Sequence, residues 1–147
     1  MTAILVLHGP NLNLLGQREP EIYGSLSLDA INTRLVDLGR ELNVEVRCIQ
    51  SNHEGGLIDA LHEARNWANG VILNPGGYTH TSVALRDAVA AIGLPVVETH
   101  LSNVYAREDF RHKSLVSAVC RGIVVGFGWR SYTLAFRVLV EILAEGK

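Results

Sequence analysis

Residues 3–7, AILVL, run directly into residues 8–24, HGPNLNLLGQREPEIYG, and this junction decides how the chain is read. The apolar run has the length and branching of a buried strand. A strand-to-helix connection ordinarily takes about 2–6 residues, yet the next helical pattern begins only near Ser27. A long loop leaving a central strand is commonly a binding loop or a lid. This one carries Asn11, Asn13, Arg18, Glu19 and Tyr23 between Gly9, Pro10, Gly16, Pro20 and Gly24. Plain connectors seldom collect a cation, a phenol and two amides so closely, so the loop is read as functional.

Outward from that junction, short apolar runs alternate with helical periodicity. Ser27 is the expected N-cap of a helix with Leu28, Ile31, Leu35, Leu38 and Leu42 on one face. Val44–Ile49 alternates as a less buried strand, and Leu57–Trp67 repeats the helical spacing. Gly70–Leu73 is a third strand, and Ser82 caps a helix through Val83, Leu85, Ala88 and Ala91. Pro95–Thr99 is a fourth strand. A helix is expected around Phe110–Ala118, a fifth strand at Ile123–Val125 and a closing helix over Thr133–Leu143. Strands alternating with helices imply an α/β fold with a five-stranded parallel sheet covered on both faces. The expected arrangement is flavodoxin-like and three-layered, with strand order 2-1-3-4-5. In such sheets ligands bind beyond the carboxyl ends of the strands, where the order reverses. The loops after strands one, three and four should therefore face one another.

Bulk properties narrow the function. The chain has 147 residues and is read as one domain, 1–147, able to bury about 70% of its unfolded surface. A hydrophobic share of 48% with 19% charged residues is that of a soluble globular protein, and a net charge of −2 gives no footprint for nucleic acid or an anionic membrane. Cys48 and Cys120 are expected as buried free thiols. Neither a signal peptide nor a membrane-spanning stretch is read, and the expected compartment is the cytoplasm.

Three groups of residues could carry chemistry. A free phenol has a pKa near 10, so Tyr23 could act as a base only if a cation such as Arg18 stabilised its phenolate; the other reading is an exposed arginine and a tyrosine packing the loop base. Glu98 and His100 lie two apart on a strand and so share a face near its carboxyl end. The carboxylate there could orient the ring and favour imidazolium, making a general acid; otherwise Glu98 pairs with a structural arginine. The loop Asn74-Pro75-Gly76-Gly77-Tyr78-Thr79-His80-Thr81-Ser82 opens onto a helix, and Gly76 and Gly77 would let an anionic group approach the backbone. His80 reads equally as a ligand contact or a turn residue. GxxxxGK[ST], GxGxxG, HExxH and GxSxG are all absent. Trp67 and Trp129 are read as packing residues.

Four stretches, LHGPNLNLLGQREPEIYG at 7–24, QSNHEGGLID at 50–59, NPGGYTHTSVALRDA at 74–88 and ETHLSNVYAREDFRHKS at 98–114, closely match one family. The chain resembles the type II 3-dehydroquinate dehydratases (type II dehydroquinases). That resemblance implies elimination of water from 3-dehydroquinate, with Tyr23 as base, Arg18 stabilising its phenolate, and His100 protonating the departing hydroxyl with Glu98 behind it. Asn11 would help to stabilise the enolate. Asn74, His80, Leu101, Ser102 and Arg111 would hold the substrate beside Gly76 and Gly77, and Asp87 would reach a neighbouring subunit's site. It further implies no metal or cofactor, and a dodecamer built as a tetramer of trimers. Cys120-Arg121 and Trp129-Arg130-Ser131 depart from the family's usual small or apolar residues. The alternative is a catalytically silent flavodoxin-like binding or assembly protein.

Overall fold

A computed structural model describes residues 1–146. Strands β1 (Thr2–His8), β2 (Val44–Gln50), β3 (Gly70–Asn74), β4 (Val96–His100) and β5 (Gly122–Val125) form one parallel sheet in the order β2-β1-β3-β4-β5. This is the flavodoxin-like order expected from the alternating pattern. The helices are α1 (Pro20–Tyr23), α2 (Leu28–Leu42), α3 (Glu54–Ala64), α4 (Val83–Ala91) and α5 (Arg130–Glu145). None of the described helices is long and apolar enough to cross a membrane.

The two-residue period of β1 builds both cores. Ile4 and Val6 pack among the leucines of α2 and the Tyr132, Phe136 and Leu139 side of α5. Leu5 and Leu7 point the other way, into Leu57, Leu61, Leu85 and Val89 of α3 and α4. All four are fully buried, and each contributes about 2 kcal/mol by leaving water. The hydroxyls of Ser27 and Ser82 cap α2 and α4 by accepting the N–H of Ala30 at 3.1 Å and of Leu85 at 2.8 Å.

The structure corrects the sequence reading in two places. No helix spans 110–118; the backbone makes only short 3-10 turns at Asp109–Arg111 and Ser117–Val119. Long-range bonds take the groups a helix would need: Leu115 N–H donates to Thr79 O at 2.7 Å, and the Arg86 guanidinium donates to Leu115 O. The Ser114 hydroxyl accepts the N–H groups of Val116 and Ser117, a local alternative to the helical ladder. The two cysteines are free but only half-buried. Burial pushes the Cys48 thiol up to about 11, and burial with the Glu98 charge pushes Cys120 up to about 12, so both stay protonated. The start of α4 is tied to α3 by a side-chain hydrogen bond. Ser82, buried at its start, donates its hydroxyl to Glu54 of α3 at 2.5 Å.

Candidate active site

The carboxyl ends of β1, β3 and β4 meet in a cleft of about 170 Å³, a size for a small metabolite and below the range typical of drug-sized ligands. The β1 and β3 loops touch backbone to backbone, with Gly9 N–H donating to Asn74 O at 2.7 Å. A Cβ on Gly9 would lie 2.5 Å from Pro75 O, so the approach requires glycine. Gly76, at φ +59°, turns the β3 loop beneath Pro10. Leu12 and Leu15 plug the long loop into the core on the α2 side and line the cleft floor. Between them and β1, Asn11 sits at φ +69°, its N–H tied to Asn52 Oδ1 at 3.0 Å. Asparagine tolerates this left-handed conformation better than most residues.

One wall is a phenol among cations. Tyr23 closes the single-turn helix α1, which Pro20 starts. The Arg18 guanidinium carbon lies 4.5 Å from the ring centre, and its Nη2 donates to the phenolic oxygen at 3.3 Å. The guanidinium of Arg107 lies 5.1 Å from the same ring centre. Arg107 also donates to Ser102 Oγ at 3.4 Å, and Arg111 is held by Glu108 at 3.0 Å. Three arginines line the cleft, and no carboxylate does. Exposed carboxylates just outside the lining, Glu19 at 3.9 Å from Arg18 and Glu108 at 3.9 Å from Arg107 and 3.0 Å from Arg111, offset part of this charge. Among full charges the cleft itself presents only guanidiniums, which suits an anionic ligand.

The other wall is an imidazole–carboxylate pair. His100 Nε2 lies 2.5 Å from Glu98 Oε2, as their shared strand face required. Glu98 is fully buried and also receives the hydroxyls of Thr79 on Oε2 and Ser117 on Oε1, each at 2.5 Å. Burial pushes its pKa up, but the His100 bond and charge, with the Ser117 and Thr79 bonds, outweigh it and hold the carboxyl below its ordinary value. The carboxylate therefore stays ionised. With Nε2 bonded to Glu98, the second ring nitrogen of His100 is left for the cleft. His80 Nδ1 lies 2.8 Å from Lys113 O; a carbonyl only accepts, so this nitrogen carries the proton. No cluster of His, Cys, Asp and Glu among the described residues could hold a metal ion.

The sequence model of the dehydroquinase class II family matches residues 2–140. The chain belongs to that family. It is 57% identical to the 3-dehydroquinate dehydratase of Gloeothece citriformis, over 97% of this chain and 94% of that protein. It is 59% identical to the 3-dehydroquinate dehydratase of Exiguobacterium, over 94% of each. The crystal structure of the type II dehydroquinase from Butyrivibrio crossotus superposes with a TM-score of 0.92 at 45% identity, covering 94% of this chain and 97% of that one.

Of the residues singled out in this dehydroquinase sequence, the cleft gathers Asn11, Arg18, Tyr23, Asn74, Gly76, Gly77, His80, His100, Leu101, Ser102 and Arg111. Glu98 stands behind His100, in a side pocket with Thr79, Ser114 and Ser117. Asp87 is elsewhere, exposed on α4 and absent from its own chain's cleft. Sequence reasoning missed Arg107, although it lies inside a matched stretch four residues before Arg111. It also missed the hydroxyls that surround Glu98, for which no local pattern exists. Trp67 and Trp129 do pack, each under an arginine: Arg47 on the first at 4.3 Å, and Arg34 and Arg130 on the second at 4.3 and 4.5 Å.

Proposed function

We propose that this chain is a 3-dehydroquinate dehydratase that removes water from 3-dehydroquinate to give 3-dehydroshikimate by an enolate-type anti elimination. The observation that carries the reading is one cleft holding both a phenol beside two guanidiniums and a buried carboxylate–imidazole pair. Arg18 and Arg107 stabilise negative charge on Tyr23, whose oxygen takes the proton from the carbon next to the ketone. The electrons move onto the ketone oxygen, and Asn11 helps to bear the developing enolate charge. Collapse of the enolate forms the carbon–carbon double bond and breaks the carbon–oxygen bond. His100, oriented by the ionised Glu98 carboxylate, gives a ring proton to the departing hydroxyl, which leaves as water.

Asn74, Gly76, Gly77, His80, Leu101, Ser102 and Arg111 hold the substrate's hydroxyls and carboxylate. The pairing of an anionic substrate with three cleft arginines supports this division of labour. The proton inventory closes with no redox step, so the reaction calls for no redox cofactor.

The working form is a homo-oligomer, a dodecamer of four trimers, acting in the cytoplasm as one catalytic domain. Exposed apolar side chains on and beside β5 support assembly: Ile123 and Phe127 are 45% and 61% exposed, and Tyr105, which shares a side pocket with Ile123, is 65% exposed. The product is a conjugated enone and the substrate is not, so ultraviolet absorbance during incubation with 3-dehydroquinate tests the reading. Steady growth of the enone band is expected. Folded protein that produces none would leave the silent assembly role in its place.

A further inference from the structure

A line of buried polar groups beneath the cleft takes no part in the elimination. His8, the last residue of β1, lies beside Tyr132 of α5, with both residues fully buried and their ring centres 5.2 Å apart. His8 Nδ1 is 2.7 Å from the Tyr132 hydroxyl, and Nε2 is 2.7 Å from Asn32 Oδ1 on α2. Tyr132 also receives the Asn74 amide nitrogen at 3.0 Å, while the Gly76 N–H donates to Asn74 Oδ1 at 3.1 Å. Asn74 lines the cleft.

These bonds have one direction. The Asn32 oxygen only accepts, so His8 Nε2 carries the proton and a neutral ring offers a lone pair at Nδ1. Burial, against the opposing Asn32 bond, lowers this imidazole's pKa to about 4, so the ring is neutral under ordinary conditions. Tyr132 must then give its single proton to Nδ1, and its oxygen is left to accept from Asn74. Turning the Asn74 amide over would set oxygen against a hydroxyl with no proton left. It would also set the NH₂ group against the Gly76 N–H. Both bonds would be broken at a buried site.

We infer that His8 and Tyr132 are positioning residues whose directed hydrogen bonds fix the Asn74 amide in the single orientation that meets the substrate. Asn74 keeps one N–H and one carbonyl lone pair for the cleft. The inference rests on Asn74 being a substrate contact, as proposed above.

Tyr132→Phe keeps the ring and removes the link. KM is expected to rise about tenfold with kcat changed less than about threefold, because Asn74 holds the substrate alike before and at the transition state. A lower melting temperature with wild-type KM would overturn the inference and leave a packing role. The imidazole nitrogen NMR shifts of His8 in unaltered protein test the direction without mutation or turnover. A protonated Nε2 and bare Nδ1 at neutral pH are expected, and the opposite tautomer or an imidazolium would overturn it. If Tyr132→Phe does not fold, Asn32→Ala, at the half-exposed end of the line, takes its place under the same KM criterion. Unaltered protein that fails to convert 3-dehydroquinate would remove the catalytic reading, while the nitrogen shifts would still decide the relay.

Discussion

Tyr23 and His8 show how differently two titratable side chains serve one site. The phenol lies half-buried at the cleft wall under two guanidiniums, so the proposed base is identified by its neighbours. Tyr23→Phe removes one oxygen and little packing; kcat should fall by about three orders of magnitude with KM nearly unchanged. Near-normal turnover would take Tyr23 out of the role of base. His8, in contrast, works only while neutral. Its pKa is lowered from 6.5 to about 4 in the fold, so between those values the unfolded chain binds a proton that the native state does not. Its contribution to stability is complete above pH 6.5 and is lost as pH falls toward 4. Urea unfolding at pH 7 and pH 5 should differ by about 2 kcal/mol from this group alone. His8→Gln, which cannot titrate, should show a flatter dependence; parallel curves would mean that the burial of His8 is not what destabilises the acid form.

Among the elements, the decisive junction is between the loops that leave β1 and β3. Their backbones meet at Gly9, Asn74 and Pro75, and that junction sets Asn11 on one side of the cleft against Asn74 and His80 on the other. Gly9→Ala would press a methyl group onto the Pro75 carbonyl. The expected cost is about 1–3 kcal/mol in stability, with a fall in kcat/KM as the loops part. Thermal melting read alongside kinetics checks both, and an unchanged variant would show that the loops separate freely. The segment after β4 makes a related point. Its polar side chains and backbone bond to Glu98, Thr79 and Arg86, so it holds the acid side of the cleft by irregular chain where a helix was expected.

For the whole molecule, the question is what lies outside one chain. Asp87 is exposed on α4 and does not line its own cleft, so any part it plays in catalysis would have to be at another subunit's site. If Asp87 serves the proposed trimer, Asp87→Ala should leave the fold intact, weaken self-association and lower activity. A partner group left unpaired at an interface costs about 1–3 kcal/mol, and more if it is charged. Sedimentation of both proteins at matched concentrations, read with their specific activities, tests this. A fully active monomer would refute the shared site.

The amino-acid sequence by itself determined the sheet order and the serine-capped starts of α2 and α4, and it marked the loops after β1, β3 and β4 that line the cleft. Apolar periods of two and of about 3.6 are local signals, and the long loop after β1 stands out by its residues alone. The tertiary structure alone decided the orientation of the site. The hydroxyls of Thr79 and Ser117 reach Glu98 across 19 residues in either direction, and Tyr132 reaches His8 across 124. Arg107 joins Tyr23 only once the β1 and β4 loops are brought together. Local sequence does not encode such pairings, because a buried polar group takes its partner from whatever the packed core brings within hydrogen-bond reach.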